Sequence, residues 1–355
     1  MRRARLLTFG AIVGWAVGPV GSRALLTAEG AGPSPRPLEV AFWAISAGWL
    51  LLFLLLAAQG RLPRLGDFAP RGWLVLVAMG FFGWAGYAGS LNVAFARLAL
   101  PDAVVINYLH PVFTVIFQGA AFGVAARLIS GWEETPSLVA RPNALQMVFG
   151  LLLCLLGVAA VATRGNLGAL AALRSAPGAL AALFAAFAWG VYSNLGRFVP
   201  VKPGRRHTDM ADVQTFAAMT FGLLILAVAL AFGGELRAPS GYRVLLYLGS
   251  LGPFHASAWY VVAAMGLLLY CGGFTMWLVA LGLGRRAGEA YRLPPLTYLT
   301  PVLAVLLGRL LLHDSVGPGF WQGAALIAAG NLVIVLRRGM PKAAKPVAET
   351  PRPSH

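Results

Sequence analysis

Two apolar stretches of this chain contain nearly the same five residues: Tyr108-Leu109-His110-Pro111-Val112 and Tyr298-Leu299-Thr300-Pro301-Val302. The second stretch follows the first by 190 residues, more than half the chain length. Further pairs recur in the same order at offsets of 173 to 186 residues: Trp15 and Arg23 with Trp189 and Arg197, Gly80 and Gly86 with Gly266 and Gly272, and Gly150 and Gly157 with Gly323 and Gly330. The alternative is chance similarity between Gly- and Leu-rich segments. The preserved order favours a chain built from two related halves.

The composition excludes a water-soluble globule. Of the 355 residues, 59% are hydrophobic and 11% are charged, and the mean hydropathy is +0.74. Soluble domains contain about 45–50% apolar and about 25% charged residues, so the surface of this chain must face lipid. The two cysteines, Cys154 and Cys271, lie inside apolar runs, which argues against a disulfide framework and against a thiolate metal site.

The apolar residues form ten segments of membrane-spanning length. Crossing about 30 Å of hydrocarbon takes roughly 20 apolar residues in a helix. We therefore predict an all-α integral membrane protein with ten transmembrane helices, and a short interfacial segment at 242–255. The predicted spans are 6–27, 38–58, 72–95, 102–123, 144–163, 177–199, 211–233, 256–282, 289–311 and 319–337.

Ten spans and the internal repeat together predict two five-helix halves, residues 1–165 and 166–339. Because five is odd, the second half enters the membrane from the opposite side, which makes the repeat inverted. The first half also contains a polar excursion at 124–143, and residues 340–355 form a Pro- and Lys-containing tail that we expect to be disordered.

The positive charges predict the orientation in the membrane. Of the 28 Lys and Arg residues, 20 fall in the loops and termini on one side of the ten spans and 8 on the other. By the positive-inside rule the first group faces the cytoplasm, so both termini are predicted to be cytoplasmic. The net charge of +16 is thus assigned to membrane orientation and contact with lipid headgroups, and no nucleic-acid partner is expected. The oligomeric state stays open.

Pro111 and Pro301 occupy equivalent positions near the middle of the fourth and ninth spans. A proline inside a helix frees the carbonyl four residues earlier, here that of Asn107 or Thr297. Free carbonyls at membrane depth are tolerated where protein or a water-filled cavity satisfies them. The two prolines therefore mark a hinge or a cavity at the repeat interface, and an ordinary packing kink is the alternative.

Trp15 and Trp189 are the first candidates for a substrate site, because they are equivalent residues placed away from the interface where Trp is usually enriched. His110 lies beside Asn107 and Pro111 and could bind a carboxylate or take up a proton. Bulk packing is the alternative for the tryptophans, and a satisfied structural histidine for His110. The further candidates for substrate binding are Trp84, Tyr87, Asn107, Tyr108, Tyr270, Tyr298 and Thr300.

The sequence carries no sign of an enzyme. None of the 12 acidic residues lies at the midpoint of a predicted span, so a carboxylate proton relay is not expected. A Walker A loop, a His-Glu-x-x-His pair and a paired-cysteine metal site are also missing from the sequence. We therefore expect neither a cofactor nor a metal ion. A small-molecule substrate is the expected partner.

Four stretches resemble motifs of the drug/metabolite transporter superfamily and its EamA-like members: Asn107-Tyr108-Leu109-His110-Pro111, Ala188-Trp189-Gly190-Val191-Tyr192, Tyr298-Leu299-Thr300-Pro301-Val302 and Phe320-Trp321-Gln322-Gly323-Ala324. Their order is most similar to that in bacterial aromatic amino acid exporters. This resemblance implies a secondary transporter of the bacterial inner membrane that exports aromatic or neutral amino acids by alternating access. It also implies that Trp15 and Trp189 line the substrate cavity.

Two features depart from those exporters. His110 stands where they carry Trp before the proline of the fourth span, which leaves the substrate open, and the excursion at 124–143 replaces a short loop. A carrier of another small solute with the same fold, or a membrane scaffold that transports nothing, are the alternatives to an amino acid exporter.

Overall fold

The computed structural model of the chain describes most of the two halves. The described residues are 1–30, 33–64, 67–98, 100–117, 144–163, 165–166, 176–199, 210–233, 239, 241–247, 253–287, 290–312 and 319–335. The predicted excursion at 124–143 and the predicted tail at 340–355 lie outside them.

The described residues form ten successive helices, which confirms the predicted fold class. Seven of them are long and apolar enough to cross a membrane, and the fourth, fifth and tenth are shorter apolar helices. The leucines that point outward, such as Leu54 and Leu224, are more than half exposed and would face lipid. The helices are α1 Arg2–Leu26, α2 Pro37–Ala58, α3 Pro70–Arg97, α4 in two segments Leu100–Asn107 and His110–Ile116, α5 Ala144–Ala162, α6 Ala176–Leu195, α7 Ala211–Phe232, α8 Ala258–Arg286, α9 Pro294–Leu312 and α10 Gly319–Val335.

Both halves interrupt the regular helix at equivalent places. The third helix of each half contains a π-helical segment, Gly80–Gly86 in α3 and Met265–Gly273 in α8. In the fourth helix of each half, a new α-helical segment begins one residue before the proline that both halves share: α4 resumes at His110, and α9 changes from 3-10 to α-helix at Thr300. The missing proline N–H explains the second pair of interruptions.

The fifth helices, α5 and α10, cross in opposite directions through glycines. A Cβ on Gly157 would lie 2.6 Å from the carbonyl oxygen of Gly323, and one on Gly330 would lie 2.6 Å from that of Gly150. Gly150 corresponds to Gly323 and Gly157 to Gly330, so the N-terminal glycine of each helix meets the C-terminal glycine of the other. This antiparallel contact is what a two-fold axis perpendicular to the helices produces, and it fits an inverted repeat.

Each half also packs its second helix on the third helix of the other half. Gly48 of α2 approaches Gly266 of α8, and a Cβ on Gly48 would lie 2.9 Å from the Gly266 carbonyl oxygen. The equivalent glycines, Gly222 of α7 and Gly80 of α3, make the same approach, also at 2.9 Å. Small residues allow such close contact of membrane helices, and the contact joins the halves into one body.

A two-stranded antiparallel sheet stands where the sequence suggested an interfacial segment. Strands β1 (Arg243–Tyr247) and β2 (Pro253–Ser257) pair with Arg243 opposite Ser257. Glu29, just after α1, exchanges two backbone hydrogen bonds with Arg243, of 3.0 and 2.7 Å. The sheet is thus fixed to the end of the bundle at which α1 ends.

Candidate functional site

Equivalent aromatic residues of the two halves meet in the middle of the bundle. The indole rings of Trp15 and Trp189 are in edge contact, with centroids 4.8 Å apart and planes at 89°. Two more equivalent pairs are in contact: Tyr108 with Tyr298 at 6.3 Å, and Trp84 with Tyr270 at 5.8 Å. The pseudo-two-fold axis therefore passes through a cluster of aromatic side chains.

A cavity of about 50 Å³ lies on one side of the Trp15–Trp189 contact, toward the end of α1. We call this the cavity side. Ligand pockets for small molecules measure about 300–1,000 Å³, so the helices around this cavity must separate before a metabolite fits. The cavity is lined by Trp15, Gly18, Pro19, Ser22, Tyr87, Ala88, Leu91, Asn92, Phe95, Val104, Asn107, Tyr108, His110, Trp189, Leu269, Tyr270 and Thr300.

The Trp189 ring contacts two other side chains that line the cavity, those of Tyr87 and His110. Tyr87 lies 4.9 Å from it and His110 lies 5.5 Å from it, between ring centroids. The break in α4 places His110 there, since the new α-helical segment begins with this residue. Tyr108 contacts His110 in turn, at 5.3 Å. The result is a continuous aromatic wall along one face of the cavity.

The polar side chains of the cavity are neutral amides, hydroxyls and an imidazole. Asn92 and Asn107 are 3% and 5% exposed, and neither side-chain oxygen accepts a hydrogen bond from the protein. The His110 Nδ1 atom is also without a hydrogen bond. None of the lining residues is Asp, Glu, Lys or Arg. The site can therefore hold a solute by ring stacking and hydrogen bonds, with no fixed charge.

The opposite side of the Trp15–Trp189 contact is filled by rings. Trp277 lies 5.4 Å from Trp15, and its Nε1 donates a hydrogen bond of 3.1 Å to the Ser193 hydroxyl. Phe274 stacks on Trp84 at 4.1 Å, and Tyr192 packs against Phe274 at 5.6 Å. All four of these rings are fully buried. We call this the sealed side and define it by Trp84, Tyr192, Phe274 and Trp277.

The structure brings together eight of the ten residues that the sequence suggested for substrate binding. Trp84 belongs to the sealed side, and Tyr298 is fully buried behind Tyr108. Neither lines the cavity. The eight residues that do are Trp15, Tyr87, Asn107, Tyr108, His110, Trp189, Tyr270 and Thr300.

Sequence reasoning missed Pro19, Ser22 and Asn92. Each is a polar or helix-perturbing residue inside an apolar span, which is the signal that identified Asn107 and Pro111. Pro19 lies inside α1 and removes the helical donor for the Trp15 carbonyl. Arg23 follows Ser22 but is exposed and does not line the cavity.

A protein-family model, described as the EamA-like transporter family, matches residues 2–131 and 176–336. The chain belongs to the EamA-like transporter family. The two matches agree with two repeats, and they make this protein a non-enzymatic secondary transporter of small metabolites within the drug/metabolite transporter superfamily. As an EamA-like transporter it is a multi-pass integral membrane protein.

A solved structure titled "Crystal structure of protein" has the same fold as this EamA-like transporter. The TM-score is 0.60 and the sequences are 23% identical, over 94% of this chain and 96% of that one. At this identity the likeness concerns the fold alone. A comparison with curated proteins finds no match.

Proposed function

We propose that this EamA-like transporter exports aromatic or neutral amino acids across a bacterial inner membrane by alternating access. The observation that carries the proposal is the cavity between the two halves, because its wall combines aromatic rings and neutral hydrogen-bonding groups with aliphatic side chains and contains no charged residue. Trp15, Trp189 and Tyr87 can stack on the side chain of an aromatic solute. No fixed charge among the lining residues repels either end of an amino acid.

The two sides of the site support alternating access. The inverted halves, residues 1–165 and 166–339, place a cavity on one side of the Trp15–Trp189 contact and packed rings on the other. If the halves exchange conformations, the sealed side opens and the cavity side closes. Pro111 and Pro301 are the proposed hinges, since helical hydrogen bonding is interrupted next to both.

The orientation of the chain decides what the cavity side faces. With both termini in the cytoplasm, as the split of 20 positive charges against 8 indicates, the end of α1 faces outward and so does the cavity. Reporter fusions after Arg64, Arg206 and Arg338 should then report cytoplasm, and fusions after Pro35 and Ser240 should report the outside. Termini on opposite membrane sides would refute both the orientation and the inverted repeat.

Transport is tested with purified protein in liposomes. Liposomes loaded with unlabelled phenylalanine should accumulate labelled phenylalanine, tryptophan or leucine by counterflow. Leu91→Trp gives the cavity side the residue that the sealed side has at the equivalent position, Trp277, and should abolish counterflow by filling the cavity. Leu54→Trp is the matched control, because Leu54 points to lipid and is 54% exposed.

If a different solute shows counterflow and no amino acid does, the proposed substrate is wrong and the transporter carries that other solute. If amino acids, amines and nucleosides all fail to show flux, the alternative of a membrane scaffold that transports nothing is favoured. Direction is tested separately: cells that produce the transporter should lose preloaded labelled amino acid faster than cells that produce Leu91→Trp.

A further inference from the structure

The two buried asparagines of the cavity offer acceptors that the protein does not use. Asn92 donates its amide to the carbonyl oxygen of Ala88 at 2.8 Å, which leaves its Oδ1 without a donor. Asn107 Oδ1 is likewise without a donor. A buried acceptor that stays unsatisfied is destabilising, so these oxygens are suited to receive hydrogen bonds from a solute.

Two prolines add backbone acceptors in the same place. Pro19 and Pro111 have no N–H group, so the carbonyls of Trp15 and Asn107 lose their usual helical donors. Both residues line the cavity. The residues that carry these side-chain and backbone acceptors therefore surround one small volume.

The rings beside these oxygens also favour positive charge. The faces of Trp, Tyr and Phe rings carry negative potential and attract ammonium groups, most strongly where the site is desolvated. Trp15, Trp189, Tyr87 and Tyr270 all line the cavity. No Lys or Arg side chain among the lining residues opposes a cation there.

A carboxylate has no cationic partner among the lining residues of this cavity. The donors that the lining side chains offer it are neutral: the indoles of Trp15 and Trp189, His110 Nδ1, and the hydroxyls of Ser22, Tyr87, Tyr108, Tyr270 and Thr300. Trp15 Nε1 faces the backbone of α8, since a Cβ on Gly273 would lie 2.7 Å from it, and Gly273 is not a lining residue. Burial without a counter-ion is costly for either ion, but the unpaired oxygens and the ring faces offset that cost only for the ammonium group.

We propose that the cavity recognises the ammonium group of its solute, and that it binds an aromatic amine at least as tightly as the amino acid with the same ring. This inference rests on the proposed function in taking an aromatic solute. It adds that the ammonium group is the charged part that the site selects, and that the carboxylate is dispensable.

Three probes that share one phenyl ring test this directly: phenethylamine carries only the ammonium group, 3-phenylpropionate only the carboxylate, and phenylalanine both. Binding to the purified full-length transporter in detergent is measured by titration calorimetry, which avoids leakage of amines across liposomes. Phenethylamine should bind at least as tightly as phenylalanine, and 3-phenylpropionate at least tenfold more weakly. Equal or tighter binding of 3-phenylpropionate would overturn the inference.

Substitutions at Asn92 separate recognition from packing. Asn92→Leu should weaken phenethylamine about tenfold and leave 3-phenylpropionate nearly unchanged, and Asn92→Asp should tighten phenethylamine and weaken 3-phenylpropionate. Asn331→Leu is the matched control, because Asn331 is also buried and also donates to the carbonyl four residues earlier, at 3.0 Å, but lies outside the cavity lining. Equal loss for all three probes in Asn92→Leu and Asn92→Asp would overturn the inference.

The two proposals can fail separately. If phenylalanine shows counterflow but phenethylamine does not bind, the ammonium inference is wrong and amino acid transport stands. If phenethylamine binds tightly while no amino acid is transported, the amino acid substrate is wrong and recognition of the ammonium group stands.

Discussion

The cavity side and the sealed side are built from equivalent positions of the same repeat, yet one contains space and the other does not. Gly18, Ala88 and Leu91 line the cavity. At the equivalent positions the sealed side carries Tyr192, Phe274 and Trp277, all fully buried. These three small or medium-sized residues of the cavity side thus correspond to three large rings on the sealed side.

Side-chain size therefore determines which of the two sides is open. The backbone of the two halves is similar, with π-helical segments and helix interruptions in equivalent places. Closing the sealed side buries four rings, which stabilises this conformation through apolar area and ring contacts. Exchanging residues between equivalent positions should therefore change which side is closed.

The largest effect is expected for Gly83→Leu. A Cβ on Gly83 would overlap the Tyr192 ring, 2.2 Å from its Cδ2 atom. On the other side the equivalent pair is Leu269 and Gly18, where a leucine side chain lies against a glycine. Overpacking at a contact that cannot move should cost about 3 kcal/mol, measured as loss of folded protein and of thermal stability in detergent.

The double variant Gly83→Leu with Tyr192→Gly reproduces the pair found on the cavity side and should recover most of the loss. Gly18→Ala is a mild control, since its Cβ would lie 3.2 Å from the flexible end of Leu269. A Gly83→Leu protein as stable as the wild type would contradict the close packing of the sealed side.

Trp277→Leu should open the sealed side at a cost of about 2 kcal/mol, because it leaves a cavity next to Trp15 and Trp189. It also removes the hydrogen bond to Ser193. In a background without Cys154 and Cys271, a cysteine at Leu278 should react with a thiol reagent at least tenfold faster. Trp321→Leu, a lipid-facing residue that is 71% exposed, should not change the rate.

An unchanged labelling rate in Trp277→Leu would mean that Trp277 does not hold this side closed. The preference for the cavity side would then have to come from Tyr192 and Phe274 alone.

Trp15→Phe and Trp189→Phe test the contact that the two sides share. Each Trp lines the cavity and also touches Phe274 and Trp277. The smaller ring should lower counterflow about tenfold, equivalent to about 1.4 kcal/mol. Trp49→Phe is the control, since Trp49 donates to Thr220 at 2.8 Å away from the site. Normal counterflow in both variants would assign the two tryptophans to packing alone.

The smallest effect is expected for an ion pair at the end of the bundle on the sealed side. Arg61, after α2, forms an ion pair of 2.7 Å with Asp212 at the start of α7. Both side chains are partly exposed, so Arg61→Ala should cost only about 0.5 kcal/mol, and the difference should vanish in 1 M KCl. Arg64→Ala is the neighbouring control. If Arg61→Ala lost as much stability as Trp277→Leu, the ion pair rather than the rings would be the main contact that keeps this side closed.

The ten helices and the repeat were predictable from the sequence. Bilayer thickness fixes how long an apolar span must be, and most predicted ends lie within a few residues of the observed ones. The largest shift at a described helix end is in α9, which begins at Pro294 rather than near 289, because Pro294 and Pro295 fit only the first turn of a helix. The pairing of Trp15 with Trp189 was also visible as a recurring motif.

Tertiary structure alone decided which residues face the cavity. Trp84 and Tyr87 are three residues apart in α3 and looked alike as candidates, but Trp84 stacks on Phe274 and Tyr87 packs on Trp189. The π-helical segment changes the direction of the side chains around it, and the partner of each ring comes from the other half of the chain. The same packing makes Asn92 a lining residue of the cavity and buries its Oδ1 without a hydrogen-bond partner. The sequence shows which residues belong to each helix, whereas the contacts between the two halves determine which of those residues face the cavity.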